Sequence, residues 1–289
     1  MVKLRNYKQA LSVLIICSVC FCVSHAQTPA PDKPPDESKS LEHEFFRNIL
    51  KDQKAIWTSP FHLKHQDTKW LIPSVVGFGS LITTDRITGD EIGESESQVK
   101  LSREVSYAGS IYGLGAFAGT FYLIGRATKN DRARETGILS AEALVDTAIV
   151  GGVLKGITQR GRPLDGRERS EFFDGGSSFP SGHSIQVWSV ATIVAHEYSE
   201  SRAVQVAAYG LASAVSIARF TGHKHYLSDV VVGSAMGYGI GRYIFNAHHR
   251  TDSADSDVTE HLDHRSWPTI EPLYNHHLGQ YGVALTWNF

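Results

Sequence analysis

The sequence predicts an all-α protein, a helical bundle of about six core helices followed by a short C-terminal β-hairpin. Apolar residues recur at helical spacing in successive segments between residues 41 and 246, where strand-like alternation is nearly absent. Near the C-terminus, segment 269–289 instead has the pattern of two strands joined by a turn at 277–279. These patterns predict a large helical domain and a small β element.

The N-terminal residues have the layout of a secretory signal. Basic residues precede an apolar stretch at 10–23, and small residues surround a predicted cleavage site after Ala26. An uncleaved membrane anchor is the alternative, although the apolar stretch is short for a span. The cysteines, Cys17, Cys20 and Cys22, all lie in this signal. We therefore expect an exported, periplasmic protein whose mature form has neither disulfides nor thiolates.

The rest of the chain divides into three parts by composition. Residues 27–40 are rich in proline, charge and small polar side chains, which predicts a disordered tether. Residues 41–247 form the predicted helical domain, and residues 248–289 the polar loop and the hairpin. The formal net charge of −2 argues against a nucleic-acid-binding protein, so no nucleic acid is expected as a partner.

The predicted helices cover, in order, residues 41–57, 70–83, 105–125, 138–155, 184–198, 203–218 and 227–246. Segment 105–125 carries no charged residue and is long enough to cross a membrane. The other segments are shorter or contain Glu142, Asp146 or Asp229. This favours a soluble or peripherally membrane-attached bundle over a protein with many membrane spans.

The C-terminal strand alternates apolar and polar residues. Tyr281, Val283, Leu285, Trp287 and Phe289 would share one of its faces. An aromatic residue at the end of such a strand is also found in outer-membrane barrels. A single hairpin cannot close a barrel, so we expect it to pack on the helical domain.

Three polar segments interrupt the apolar pattern, each at an end of a predicted helix. The first, KGITQRGRP, contains Lys155 and Arg162, and Pro163 follows Arg162. Gly156 and Gly161 predict an interrupted helix, and the proline favours an extended conformation before it. Two cations on a bent segment can bind one anion, although basic residues at helix ends more often face solvent.

The second segment, SSFPSGHS, precedes an apolar helical run. Pro180, Ser181 and Gly182 predict a turn with a capping hydroxyl, so that the N–H groups of a helix N-terminus face an anion. Gly182 permits close approach of the backbone, and His183 places an imidazole beside it. An ordinary capped helix with an exposed histidine is the alternative.

The third segment, RFTGHKHYLSD, spans residues 219–229. If a helix begins near Tyr226, His225 and Asp229 lie one turn apart on the same face. The carboxylate can then accept one ring proton and leave the other ring nitrogen free to attack. Arg219 offers a planar fork to two oxygens of the same anion.

His223 and His225 could serve a copper or nickel site, but a metal is disfavoured there. Lys224 and two arginines accompany the histidines, and Asp229 is the only further ligand at zinc-like spacing in the sequence. We therefore expect no metal and no cofactor at this site. The remaining histidines considered, His248, His249, His276 and His277, fall in predicted loops, where exposure to solvent is expected.

In order and spacing, the three segments resemble the signature of the type 2 phosphatidic acid phosphatase superfamily, which also includes bacterial class A acid phosphatases and vanadium haloperoxidases. The resemblance covers about residues 138–245. The third segment of the signature commonly begins with Ser-Arg, whereas this chain has Ala218 before Arg219.

The resemblance implies a metal-independent phosphatase. His225 would attack phosphorus and become a phosphohistidine, and Asp229 would hold its ring. His183 would protonate the departing oxygen and then act as the base for water. The equatorial oxygens would be held by Lys155, Arg162, Arg219, the Ser181 hydroxyl and the Gly182 N–H.

The expected partner is a phosphorylated small molecule or a lipid phosphate or pyrophosphate, with contact to a membrane surface. One alternative is a haloperoxidase with vanadate bound to His225, although the chain lacks the large extra helical regions of those enzymes. Another is a non-catalytic domain that binds phosphate or phospholipid headgroups. Substrate choice would depend on residues outside the signature, in the Phe172-Phe173 loop or on the helix with Tyr107, Tyr112 and Phe117, for which core packing is expected.

Overall fold

The computed structural model describes residues 38–62, 68–93, 95–164, 170–249, 269–275 and 280–286. The predicted signal, nearly all of the predicted tether and the cysteines lie outside the described residues. The same holds for most of the predicted polar loop.

Within the described residues, eight α-helices form the domain that the sequence predicts to be helical, which confirms the predicted all-α class. They are α1 (Ser38–Thr58), α2 (Thr68–Glu91), α3 (Glu96–Ala108), α4 (Ile111–Thr128), α5 (Asp131–Thr158), α6 (Gly182–Glu197), α7 (Arg202–Thr221) and α8 (Leu227–His248). A short 3-10 turn, Ser59–His62, follows α1.

The predicted helix 105–125 is wrong as a single rod. Helix α3 ends at Ala108 and α4 begins at Ile111, because the Ser110 hydroxyl accepts a hydrogen bond from the Gly113 N–H at 3.1 Å and caps α4. Gly109 lies against α7, where a Cβ atom would be 2.3 Å from a methyl carbon of Val215. The long uncharged segment is therefore a corner between two helices and not one membrane-length helix.

Helix α6 lies at the centre of the bundle and packs against α5, α7 and α8. One core cluster joins helices α4 to α7 and includes Phe121, Leu144 and Val190. A second cluster, with Leu139 and Ile244, joins α5, α6 and α8. This packing brings the N-terminal ends of α6 and α8 together.

Close contact between α6 and α8 depends on a glycine. A Cβ atom at Gly237 would lie 2.2 Å from the carbonyl oxygen of Ile185. Because no side chain separates the two backbones there, the first turn of α8 is held against the start of α6.

The outer surface of the bundle retains many apolar side chains, among them Leu123, Ile157, Val206 and Ile217. Among the described helices, α5 and α7 are long and apolar enough to cross a membrane. The apolar window of α5 is 61% buried within the bundle, whereas that of α7 is only 22% buried. Helix α5 is thus a core helix, and α7 presents most of its apolar surface outwards.

Two tyrosines differ from the expectation of core packing. Tyr107 and Tyr112 are exposed, at 53% and 87%, and only Phe117 of the predicted aromatic set packs against the core. The tyrosines flank the corner at Ser110, which turns them away from the bundle.

A separate compact unit covers residues 249–289. Its strands β1 (Thr269–Asn275) and β2 (Gln280–Thr286) pair antiparallel, with Thr269 opposite Thr286 and Asn275 opposite Gln280. This agrees with the predicted hairpin. The predicted turn at 277–279, together with Trp287 and Phe289, lies outside the described residues.

Candidate active site

All three polar segments lie at helix ends on the same side of the bundle. The Ser181 N–H donates to the Asp229 carbonyl at 3.0 Å, which ties the start of α6 to the first turn of α8. Lys155, in the last turn of α5, lies close to Gly182, where a Cβ atom would be 3.7 Å from the lysine Cε. Arg219 occupies the last turn of α7. The predicted site residues are therefore brought together.

The first segment is more helical than its glycines predict. Helix α5 continues through Gly156 to Thr158, and Gln159 ends it in a left-handed conformation. The interruption predicted at Gly156 is wrong, because tertiary packing of α5 outweighs the small helix preference lost at one glycine. Lys155 therefore sits on a rigid last turn and donates to the Ser177 carbonyl at 2.7 Å.

Ser181 is the N-cap residue of α6, as predicted, but its hydroxyl makes no capping hydrogen bond within the described residues. It accepts instead from the Ser184 hydroxyl, at 3.0 Å, and is fully buried. The first-turn N–H groups of α6 are thus left without a side-chain cap. A helix N-terminus of this kind favours an anion.

His225 is 2% exposed and its ring is held by a backbone carbonyl. Its Nδ1 lies 2.8 Å from the Ser178 carbonyl oxygen, so Nδ1 carries the proton that it donates there. Nε2 is then the unprotonated nitrogen of the neutral ring. This is the tautomer that a nucleophilic histidine requires.

Asp229 does not orient His225 in the way that the sequence predicts. Its Oδ2 lies 3.7 Å from His225 Nδ1, which is beyond hydrogen-bond distance. The same oxygen accepts from the Ser178 hydroxyl at 2.5 Å and from the Tyr226 N–H at 3.0 Å. Asp229 therefore fixes the histidine indirectly, through the Ser178 hydroxyl and through the backbone N–H of Tyr226, the residue that follows His225.

A buried arginine that the sequence analysis missed holds Asp229 in place. Arg160 is fully buried and donates to Asp229 Oδ1 at 2.6 Å. Its guanidinium carbon lies 4.7 Å from the ring centre of Phe172 and 4.6 Å from that of Tyr226. The cation is thus stacked between two aromatic faces.

The same arginine connects the site to α2. It donates to Asp85 Oδ2 at 2.7 Å, and Asp85 Oδ1 accepts from the Ser228 N–H at 3.0 Å. The Ser228 hydroxyl also donates to Asp85. Two buried carboxylates, Asp85 and Asp229, therefore share one buried cation.

Arg160 and Asp85, which the sequence analysis missed, differ in how far the sequence alone could have indicated them. Arg160 lies inside the first polar segment, two positions before Arg162, so its presence was visible although its burial was not. Asp85 lies far away along the chain in a segment with no recognisable motif. Only the tertiary packing of α2 against α8 reveals its role.

Positive charge is concentrated around the two histidines. Burial and the neighbouring charge of Arg162 together lower the pKa of Lys155 to about 8. Burial and Arg162 together lower the pKa of Arg219 to about 10. The Arg219 Nε is buried and has no hydrogen-bond partner among the described residues. Mutually repelling cations with an unsatisfied donor form a site for an anion of two or more charges.

Both imidazoles are neutral at neutral pH. Burial, with the neighbouring charge of Arg219, lowers the pKa of His183 to about 3. Burial likewise lowers the pKa of His225 to about 4. Burial alone would raise the pKa of Asp229, but the contacts with His225 and Arg160 outweigh it and hold that pKa below its ordinary value. An ionised carboxylate and two neutral rings thus face one basic site.

The comparison with protein families agrees with this arrangement. Residues 136–253 match the model of the PAP2 superfamily, a match that contains all three polar segments. The match and the helical fold agree with the resemblance that the sequence shows over residues 138–245.

One similar protein is named as a phosphatase. A lipid A 1-phosphatase of Porphyromonas gingivalis is 34% identical over 99 residues, which are 34% of this chain and 22% of that protein. The match thus spans less than a quarter of the length of that relative.

Two solved structures are also similar. The crystal structure of Aquifex aeolicus LpxE has 18% identity and a TM-score of 0.43, over 57% of this chain and 93% of that one. A transmembrane PAP2-type phosphatidylglycerolphosphate phosphatase from Bacillus subtilis has 18% identity and a TM-score of 0.44, over 72% of this chain and 96% of that one.

Proposed function

We propose that this protein is a phosphatase that hydrolyses the phosphomonoester or pyrophosphate of a lipid through a phosphohistidine on His225, without a metal ion. The observation that carries the proposal is the neutral His225 ring, whose Nδ1 is 2.8 Å from a backbone carbonyl oxygen and whose Nε2 is available to phosphorus. The similarity to a lipid A 1-phosphatase supports a lipid phosphate as substrate.

Binding comes first. A phosphate dianion would be held by Lys155, Arg162 and Arg219 and by the first-turn N–H groups of α6. It relieves the repulsion among these cations, and its charge raises the pKa of His183, which the cations depress in the free site. His183 can then carry the proton that the reaction needs.

In the first chemical step, His225 Nε2 forms a bond to phosphorus while the bond to the leaving oxygen breaks. His183 gives its proton to that oxygen, so the alcohol or phosphate leaves in neutralised form. The negative charge on the equatorial oxygens is stabilised by the fixed cations and N–H dipoles.

In the second step, water attacks phosphorus, its proton passes to His183, and the bond from phosphorus to His225 breaks. Inorganic phosphate leaves, and both rings return to their starting states. The ionised Asp229 stabilises the positive charge that His225 carries while it is phosphorylated, because Ser178 and Tyr226 keep the carboxylate close to the ring.

We also propose that the protein acts outside the cytoplasm at a membrane surface. The signal-like N-terminus supports export. The outward-facing apolar side chains of α7, such as Val206 and Ile217, support contact with lipid.

The test is release of inorganic phosphate by the purified full chain, in chelator, from a dispersed lipid phosphate and from a soluble aryl phosphate. We expect turnover in the presence of the chelator and inhibition of that turnover by vanadate. We also expect phosphate attached to the protein through a bond that is labile in acid and stable in base, and no such phosphate on His225→Ala. Undiminished turnover in His225→Ala would overturn the mechanism. Peroxide-dependent halide oxidation with vanadate and no phosphate release would replace the phosphatase by a haloperoxidase.

A further inference from the structure

A second group of ionisable side chains lies at the far end of the bundle from the candidate active site. We call Asp52, Glu142, Asp146 and His248 the distal cluster. Asp52 belongs to α1, Glu142 and Asp146 lie one turn apart on α5, and His248 is the last residue of α8. Since Asp229 lies in the first turn of α8, the two groups are separated by about 28 Å along that helix.

The sequence analysis expected His248 to be an exposed loop residue, which is wrong. Helix α8 extends to His248, and the side chain is only 11% exposed. Its Nε2 lies 2.9 Å from both carboxylate oxygens of Asp52, which is itself fully buried. The imidazole is therefore a fixed member of the interior.

The distances fit a metal ion. One oxygen from Asp52, one from Glu142 and one ring nitrogen from His248 all lie within 4.8 Å of one another. Ligands bound to one zinc ion at about 2.0–2.2 Å lie about 3 Å apart, so the Asp52 to His248 separation already has that value. Only the Glu142 oxygen has to move closer.

A separate observation points to a ligand in the cluster. Glu142 is fully buried, and while its Oε1 accepts from Asn48 at 3.2 Å, its Oε2 has no hydrogen-bond partner among the described residues. Asp146 is also fully buried, and while its Oδ1 accepts from Gln53 at 2.8 Å, its Oδ2 is likewise unpartnered there. A buried carboxylate oxygen without a partner is costly, so each is rarely left in that state.

The charges in the cluster lead to the same conclusion. Three buried carboxyl groups, on Asp52, Glu142 and Asp146, accompany a single imidazole. A divalent cation would occupy the unsatisfied oxygen positions of Glu142 and Asp146.

We propose that Asp52, Glu142 and His248 bind a divalent first-row transition metal, with Asp146 as the neighbouring carboxylate that completes its charge balance. The mixture of imidazole nitrogen and carboxylate oxygen suits Zn²⁺ better than Mg²⁺ or Ca²⁺, which prefer oxygen alone. Binding requires His248 Nε2 to give up its proton to solvent. The ion then links α1 to α5 and α8 and has a structural role.

The experiment uses the full chain, stripped with a chelator and returned to buffer, with Zn²⁺ and Co²⁺ as probes. We expect one equivalent of Zn²⁺ by elemental analysis after gel filtration, and visible absorption from bound Co²⁺. At a free Zn²⁺ concentration about 100-fold above the dissociation constant, the Tm should rise by about 5–10 °C.

Two ligand variants and one control make the result specific. Glu142→Gln and His248→Gln keep the size of the side chains, and each should weaken Zn²⁺ binding at least about tenfold and abolish the Tm shift. His43→Gln alters an exposed histidine on α1 and should bind Zn²⁺ as the unaltered chain does.

Failure of the proposal has a distinct signature. If the cluster holds protons and no metal, Zn²⁺ leaves the Tm of the unaltered chain unchanged, which would overturn the proposal. Equal metal binding by Glu142→Gln, His248→Gln and the unaltered chain would place the metal elsewhere and would also overturn the proposal.

Discussion

Arg160 and Asp229 form a fully buried ion pair, with the guanidinium nitrogen 2.6 Å from the carboxylate oxygen. Arg160 contacts Asp229 and Asp85 and is not among the residues proposed to bind phosphate or to react, so we regard it as a positioning residue. It determines where Asp229, and through it Ser178 and His225, are held.

Replacing Arg160 is therefore expected to reduce catalysis without contact to the substrate. Arg160→Lys keeps a charge but loses the fork that reaches Asp85 and Asp229 together, and kcat should fall at least about 100-fold with little change in KM. Breaking a buried pair also destabilises proteins by about 3–5 kcal/mol, so unfolding in urea must be measured alongside kinetics.

The conservative variant Asp85→Asn separates the two effects of this change. It keeps the Arg160 contact with Asp229 and removes one buried charge, so a smaller loss of kcat is expected than for Arg160→Lys. If the two variants lose kcat equally in fully folded protein, Asp85 and not Asp229 is the partner that matters.

A second prediction concerns the way in which His225 is oriented. Ser178→Ala removes the hydroxyl that donates to Asp229 but keeps the backbone carbonyl that accepts from the ring. We expect only a modest loss of kcat, about tenfold or less, whereas Asp229→Asn should cost at least about 100-fold because it removes the charge that stabilises the imidazolium. The measurement is kcat of each variant at neutral pH.

A loss of kcat in Ser178→Ala that is as large as the loss in Asp229→Asn would contradict the structure. The Ser178 hydroxyl, and not its carbonyl, would then have to hold the ring. A calorimetric measurement of phosphate binding to both variants serves as the control, since the basic side chains that bind the anion are unchanged.

The third prediction is a pH dependence of stability that arises from the histidines. Burial lowers the pKa of His183 to about 3 and that of His225 to about 4, below the ordinary histidine value of 6.5. Between these values the unfolded chain binds more protons than the folded chain, so the histidines favour unfolding as the pH falls. Their contribution reaches its largest magnitude below about pH 3 and vanishes above about pH 6.5.

The comparison that isolates this contribution is between the unaltered chain and His183→Gln. Buried Glu142 and Asp146, with pKa values raised to about 7, act in the opposite direction and are present in both proteins. Urea unfolding between pH 7.5 and 4.5 should show that His183→Gln loses less stability on acidification than the unaltered chain. Parallel curves would mean that His183 is not buried in neutral form.

Features that depend on residues close together in the chain could be predicted from the sequence, whereas features that depend on contacts between distant segments could not. Periodicity predicted the helices, and the short spacings within the three polar segments predicted the candidate site residues, because both patterns depend on residues a few positions apart. Asp85 could not be found in this way, since its importance comes from contacts with Arg160 and Ser228 across the fold. His248 was missed for a related reason, because the polar sequence around it concealed a buried partner on α1.

The last prediction tests the corner between α3 and α4, where composition misled the sequence analysis. A Cβ atom at Gly109 would lie 2.3 Å from a methyl carbon of Val215, so Gly109→Ala must push α3 away from α7 or distort the valine. Overpacking of this kind costs about 1–3 kcal/mol. The matched control is Gly115→Ala on α4, where no atom lies within 4 Å of the added Cβ and where alanine should stabilise the helix by about 0.5–1 kcal/mol. Chemical denaturation of both variants measures the difference, and equal stability of the two would show that the corner is not closely packed.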